Sequence, residues 1–77
     1  MNIDLLTKMA NEISAFFATE SPPDRAAQDV AQHLRRFWEP RMRRQIIAHV
    51  REHDGVGLTD LARRGVETLA AGESGGA

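Results

Sequence analysis

Apolar residues recur every three or four positions along most of the chain, a spacing that predicts amphipathic helices. The first such segment covers residues 3–19. Its apolar positions fall within one arc of a helix: Leu6, Met9, Ala10, Ile13, Phe16 and Phe17, with Ile3 at the edge. No segment shows the alternation of apolar and polar residues that a half-buried strand requires. The pattern therefore predicts an all-α protein.

A second segment repeats this arrangement 21 residues later. Its apolar positions are Ala27, Val30, Ala31, Leu34, Phe37 and Trp38. The segment Ser21-Pro22-Pro23-Asp24 predicts the start of this helix, since serine caps helices, proline suits the first turn and an acid is favoured by the helix dipole. We expect the helix to end near Trp38. Both apolar stripes end in two adjacent aromatic residues, so the two helices are expected to bury similar faces.

Glu39-Pro40 interrupts the helical pattern, because proline disfavours helical geometry in the residue before it. Pro40 itself suits the first position of a third helix, which is predicted to run to about Glu52. A glycine-containing turn at residues 54–57 follows, and Thr59 is the expected cap of a fourth helix that ends near Ala70.

The predicted fold is thus a small three- to four-helix bundle-like domain over residues 1–70, with a proline break between helices 2 and 3. Residues 71–77 are predicted to form a disordered, flexible tail. A chain of 77 residues buries a small core and gains stability from a partner surface, a disulfide or a metal. Without cysteine, disulfides and thiolate metal sites are excluded, which leaves a partner surface as the expected source of added stability.

Charge is distributed unevenly along the chain. Residues 35–51 contain six arginines and Glu39, a net charge of +5, whereas residues 1–34 and 52–77 each carry −3. Nine of the ten basic residues are arginine. Arginine is preferred to lysine where a planar, bidentate or stacked contact is needed. On the third helix, Arg41, Arg44 and Arg51 share one face with Ala48 and form a continuous basic ridge.

The residue types present argue against an enzyme. The chain has no cysteine or tyrosine, no serine in a nucleophile motif, and no glycine-rich loop after a strand. We therefore expect no catalytic and no cofactor-binding residue. His49 and His53 have a spacing that can hold a metal, but a third ligand is missing from the pattern, so no metal site is predicted. His33 is expected to pack beside Phe37.

Three interpretations of the arginine-rich centre remain open. It can be a solvated basic face over the core, a phosphate-binding surface of a small nucleic-acid-binding regulator in which Trp38 stacks on a base, or a protein interface. A net charge of −1 and the flanking acids disfavour nucleic acid. Arg, Trp, Phe and Met are enriched in protein interfaces. The predicted partner-binding residues are Arg35, Arg36, Phe37, Trp38, Pro40, Arg41, Met42, Arg44 and Arg51. Whether Trp38 faces the core or the partner is left open.

The same residues resemble a known family, the delta subunits (FdsD family) of soluble, NAD-dependent, molybdenum-containing formate dehydrogenases. The resemblance covers about residues 5–70. It is carried by residues 9–17, by Gly57-Leu58 and His49-Val50, and most specifically by the core His33-Leu34-Arg35-Arg36-Phe37-Trp38-Glu39-Pro40-Arg41-Met42-Arg43.

The resemblance implies a small accessory subunit of an enzyme whose other subunits hold the cofactors. In that family the alpha subunit carries molybdopterin and iron–sulfur clusters, and the beta and gamma subunits pass electrons through FMN and iron–sulfur centres to NAD. The implied function is stabilisation or assembly of this complex, by docking on the large alpha subunit. Because no secretory signal or membrane-spanning stretch is recognisable in the sequence, a soluble, cytoplasmic protein is expected.

Overall fold

The structure, a computed structural model, describes residues 2–75, with side chains to residue 73. The chain forms four helices, which are α1 (Ile3–Glu20), α2 (Ala26–Phe37), α3 (Pro40–His53) and α4 (Asp60–Gly75). Among these described residues there is no strand, so the all-α prediction is confirmed. The predicted break between the second and third helices is also confirmed, since Pro40 is the first residue of α3.

The start of α2 differs from the prediction. Ser21, expected to cap α2, instead ends α1, where its N–H donates to the carbonyl of Phe17. Its hydroxyl donates to Asp29 Oδ2 at 2.5 Å and so ties the connection to α2. Two consecutive prolines disfavour helical geometry at the first of them, and the regular helix begins only at Ala26.

The core forms around the contact between α2 and α4. Small residues allow these helices to approach closely, and at Gly65 of α4 an added Cβ would stand 2.5 Å from Val30 Cγ1 of α2. The fully buried side chains from all four helices include Leu6, Leu34, Ile46, Val66 and Leu69. Ser14 is buried among them, and its hydroxyl is satisfied by donation to the Ala10 carbonyl at 2.8 Å.

In each of the two aromatic pairs that end the predicted stripes, one ring is exposed and the other packs against the core. Trp38 is 5% exposed and belongs to the core, whereas its neighbour Phe37 is 69% exposed. α2 ends at Phe37 and the backbone becomes extended at Trp38, which sends the two side chains in different directions. On α1, Phe17 packs partly against the core, but Phe16 is 59% exposed. Phe16 follows Leu6 by ten residues, so its side chain lies about 80° around the helix from the buried side chain of Leu6.

The loop between α3 and α4 is held by its own backbone and by α1. Asp54 adopts the left-handed conformation that ends α3, and Gly55 and Gly57 also have positive φ. Asn11 of α1 donates from Nδ2 to the Gly57 carbonyl and accepts from the Thr59 N–H, both at 2.9 Å. Thr59 caps α4 as predicted, with its hydroxyl accepting from the Ala62 N–H at 3.2 Å.

α4 continues to Gly75, five residues beyond the predicted end at Ala70. Tertiary contacts account for the extension. Glu73 accepts a hydrogen bond from Arg43 Nε at 2.6 Å, and the Arg35 guanidinium lies over Gly72. A glycine-rich segment that looks disordered by composition is therefore helical where these contacts reach it. Residues 76–77 of the predicted tail lie outside the described residues.

Candidate protein-binding surfaces

The predicted partner-binding residues divide into an exposed and a buried group. Met42 is half-buried against the core, and Trp38 lies within it, which settles that Trp38 faces inward in this chain. The remaining predicted residues are exposed: Arg35, Arg36, Phe37, Pro40, Arg41, Arg44 and Arg51. The centre of the chain thus presents arginine and phenylalanine to solvent while it keeps tryptophan inside.

Consecutive arginines on α3 have different roles. Arg43 is 17% exposed and donates from Nη1 to the carbonyls of Trp38, at 2.7 Å, and Arg35, at 3.2 Å. With its ion pair to Glu73, this side chain joins the end of α2 to α4. By contrast, Arg41 and Arg44 are exposed, and neither has a hydrogen-bond or ion-pair partner among the described residues.

Arg44 borders a shallow groove between α3 and α4, which we call the α3–α4 groove. Ile47 and Ala48 of α3 and Ala70 of α4 form its apolar floor. Its rim is charged, with Arg44, Arg51, Glu52 and Glu73. The Glu73 carboxylate is already bound to Arg43. Arg44 and Arg51 of the predicted basic ridge therefore border a groove whose floor the sequence pattern did not indicate.

A second surface lies where α1 meets α2, and we call it the aromatic strip. It consists of Phe16, Phe17, His33 and Phe37. The ring centroids follow one another at 5.1 Å from Phe16 to Phe17, 5.9 Å on to His33 and 4.7 Å on to Phe37. The predicted packing of His33 beside Phe37 is confirmed. Phe16 and Phe37, at the two ends of the strip, are the most exposed of the four.

Arg35 and Arg36 contribute to different sides of the molecule although they are adjacent in sequence. The Arg35 guanidinium lies against Gly72 of α4. The Arg36 guanidinium carbon lies 6.0 Å from the centre of the Phe37 ring, within reach of a cation–π interaction. The basic segment that appears continuous in the sequence is thus shared between the α3–α4 side and the aromatic strip.

His49 and His53 are 5.9 Å apart between ring centroids, as their spacing suggested. His49 Nε2, however, is 2.7 Å from the Val56 carbonyl, to which it must donate, and this contact stabilises the loop after α3. Within the part of the chain that the structure describes, no three histidine, cysteine or acidic side chains are grouped as a metal site would require. None of the described helices is long and apolar enough to cross a membrane.

Sequence reasoning missed the roles of Asn11 and Arg43 and the exposure of Phe16. The helical pattern placed Arg43 off the basic ridge but could not give its role, because its partner, Glu73, is 30 residues away in the predicted tail. Phe16 fitted the apolar arc and showed its exposure only once the positions of the other helices were known. Gly65 did carry a signal, since a glycine within a predicted helical segment often marks a close packing contact.

The comparison with protein families decides the relationship of this chain. The family model described as the NADH-dependent formate dehydrogenase delta subunit FdsD matches residues 5–66. The chain belongs to the FdsD family. The FdsD match includes all of the aromatic strip and every arginine from Arg35 to Arg51, and it ends before Gly72 and Glu73. A search of curated proteins and a search of solved structures each found no match.

Proposed function

We propose that this chain is a non-catalytic accessory subunit of an NADH-dependent formate dehydrogenase in the cytoplasm. It stabilises the complex, or assists its assembly, by docking on the large molybdenum-containing alpha subunit in a hetero-oligomer with beta and gamma subunits. Membership of the delta-subunit family supports the assignment to this enzyme. Under this proposal, molybdopterin, the iron–sulfur clusters, FMN and NAD are all held by the other subunits.

The docking proposal rests on one observation, namely which arginines already bind an acid of this chain and which do not. Arg43, Arg63 and Arg64 each bind an acid of this chain. Arg41 and Arg44 are exposed and lack such a partner among the described side chains. Arginine combines bidentate hydrogen bonding with weak hydration, which suits it to carboxylates on a partner surface. Beside Arg44, the side chains of Ile47, Ala48 and Ala70 offer an apolar floor that a partner side chain would cover.

The test is co-purification of a charge-reversed double variant, Arg41→Glu/Arg44→Glu, with the alpha subunit at moderate salt. We expect association to be lost, because two attractive contacts become repulsive. The matched control is Arg63→Glu/Arg64→Glu, which makes the same change in net charge on α4 at residues that pair with Asp60. Retained association of the α3 variant, or equal loss in both variants, would contradict docking through Arg41 and Arg44.

Mass spectrometry of the intact, active enzyme distinguishes a resident subunit from an assembly factor. A resident subunit appears in the mass of the active complex, and an assembly factor is found only on the immature large subunit. Binding of nucleic acid through the same arginines is the alternative function. A salt-dependent mobility shift of labelled duplex or single strand at micromolar protein would favour that alternative. We expect no shift at low salt.

A further inference from the structure

The aromatic strip is unusual because it leaves large apolar side chains outside a small core. Phe16 and Phe37 are 59% and 69% exposed, while much smaller residues such as Ala10 and Ala62 are fully buried. A chain of this size has few aromatic residues with which to build a core. Contiguous exposed apolar surface of this kind marks a binding site more often than scattered single residues do.

The surface around the strip has the shape of two adjoining depressions. One is lined almost entirely by apolar atoms of Ile13, Phe16, Phe17 and His33, with Glu12 at its edge. The other lies between Phe17, His33 and Phe37, with Arg36 and Asp29 at its edge. Phe17 and His33 belong to both, so a ligand that spans the strip contacts both depressions.

The charges at the edges define the occupant. Asp29, which lines the same depression as Arg36, accepts a hydrogen bond from the Ser21 hydroxyl at 2.5 Å and remains an acid. Arg36 lies over the Phe37 ring, and its guanidinium has no hydrogen-bond or ion-pair partner among the described side chains. Glu12, at the opposite end, is exposed and would repel an acid there. The strip thus offers an apolar floor with Arg36, beside the hydrogen-bonded Asp29, at the Phe37 end and with Glu12 as the charged residue at the Phe16 end.

We propose that the aromatic strip is a second docking surface, which binds a partner segment that places an apolar side chain between Phe16 and His33 and a carboxylate against Arg36. This inference rests on the proposed function, since the segment belongs to the formate dehydrogenase subunit on which the chain docks. Two surfaces on one small subunit, the arginines of α3 and the aromatic strip of α1 and α2, then share the binding of one partner. Phenylalanine and arginine act as the anchors, in keeping with their role in interfaces.

The first experiment removes the apolar anchors. Phe16→Ser/Phe37→Ser is expected to lower affinity for the purified enzyme that lacks this chain by at least about tenfold, the range typical of anchor residues. The matched control is Leu5→Ser/Val56→Ser, because Leu5 and Val56 are the other large apolar side chains exposed within the described part of the chain, at 45% and 72%. Circular dichroism and a thermal melt establish that both variants are folded. Equal affinity of the two variants would overturn the inference.

The second experiment tests the polarity of the strip. Arg36→Glu is expected to weaken binding, and Glu12→Gln is expected to leave it unchanged or strengthen it. The reverse order would overturn the assignment of the carboxylate to Arg36. A photoreactive benzoylphenylalanine at position 16 identifies the occupant. A crosslink to a partner peptide with an apolar residue next to an acid supports the proposal, and a crosslink to a second copy of this chain overturns it.

The outcomes separate this inference from the proposed function. If Arg41→Glu/Arg44→Glu abolishes association but Phe16→Ser/Phe37→Ser does not, the proposed function stands and the second surface is wrong. If the wild-type chain does not associate with any formate dehydrogenase subunit, both are wrong. Loss of affinity in both double variants, with both control variants unchanged, supports the two surfaces together.

Discussion

The side of α2 that faces α4 and the side that faces α1 use their residues in opposite ways. Towards α4, the contact is made by small residues at close approach, such as Gly65 against Val30, and Trp38 is buried in the core. Towards α1, the large rings of Phe16 and Phe37 remain exposed. The size of an aromatic ring therefore does not indicate whether that residue stabilises this fold. Close packing stabilises the first side, and the second leaves two large rings in contact with solvent.

Of the variants that test this comparison, Trp38→Ala should cause the largest loss of stability. Truncation of a buried aromatic side chain removes apolar burial and leaves a cavity, so we expect a loss of about 3–5 kcal/mol in the free energy of unfolding. Such a loss is comparable to the whole stability of a small domain. Phe37→Ala is the neighbouring control and should cost less than about 1 kcal/mol, the value of its exposed ring contacts. Urea denaturation followed by circular dichroism measures both. Similar losses in the two variants would contradict the contrast between them.

Arg43→Gln should cause the next-largest loss of stability. The Arg43 side chain joins the end of α2 to α4, because it donates hydrogen bonds to Glu73 and to the carbonyls of Arg35 and Trp38. Hydrogen bonds to a charged group contribute about 1.5–3 kcal/mol when they are largely buried, so we expect a loss in that range. Arg44→Gln, one residue along the same helix, should change stability by less than about 0.5 kcal/mol. The same denaturation series compares them, and a larger effect at Arg44 would reverse the assignment of roles.

Gly65→Ala tests the close approach of α2 and α4. Alanine favours a helix over glycine by up to about 1 kcal/mol, but its Cβ would stand 2.5 Å from Val30 Cγ1, inside the core. Overpacking costs about 1–3 kcal/mol, so a net loss of about 1–2 kcal/mol is expected. Val30→Ala in the same chain should reduce the further loss caused by Gly65→Ala, because it removes the clashing methyl groups.

Gly72→Ala is the matched control for that prediction. Its Cβ would also stand 2.5 Å from a neighbour, but that neighbour is the Nη2 atom of Arg35, at the far end of a flexible, exposed side chain. The arginine can move at little cost, so the helix propensity of alanine should dominate and the melting temperature should stay constant or rise. A marked loss at Gly72 would show that Arg35 is held more rigidly than its exposure implies.

Phe16→Ser should have only a small effect on stability. The ring packs edge-on against Phe17, but more than half of its surface is exposed. We expect a loss below about 1 kcal/mol, measured by thermal denaturation. A larger loss would mean that the aromatic strip stabilises the fold itself, which would remove the distinction between the two sides of α2.

The helices were predictable because their signals are local. Spacing of apolar residues identified α1 and α2, Pro40 marked the start of α3, and Thr59 marked the cap of α4. The predictions failed where a distant contact decided the outcome. Ser21 ends α1, and its hydroxyl binds Asp29 instead of capping α2. α4 extends past its predicted end, where Glu73 meets Arg43.

The sequence predicted which residues make up the candidate site better than it predicted how they are arranged in space. The sequence placed the arginines and aromatic residues of the centre together, and most of them are exposed. It could not predict their separate roles, since Phe37 and Trp38 belong to the same predicted apolar stripe and no residue near Arg43 in the sequence indicates its partner, Glu73. The aromatic strip was not foreseen, because Phe16 and Phe37 lie on different helices and their proximity depends on how α1 packs against α2.

The sequence alone therefore determined the helical class, the proline break, the uneven charge and the family to which the chain belongs. These properties depend on residue type and on spacing along one helix, which are independent of the other helices. Only the tertiary structure decided which aromatic residue is buried, which arginine is bound internally and where two exposed surfaces form. Those outcomes depend on which atoms of other helices come within contact distance, and a local pattern does not contain that information.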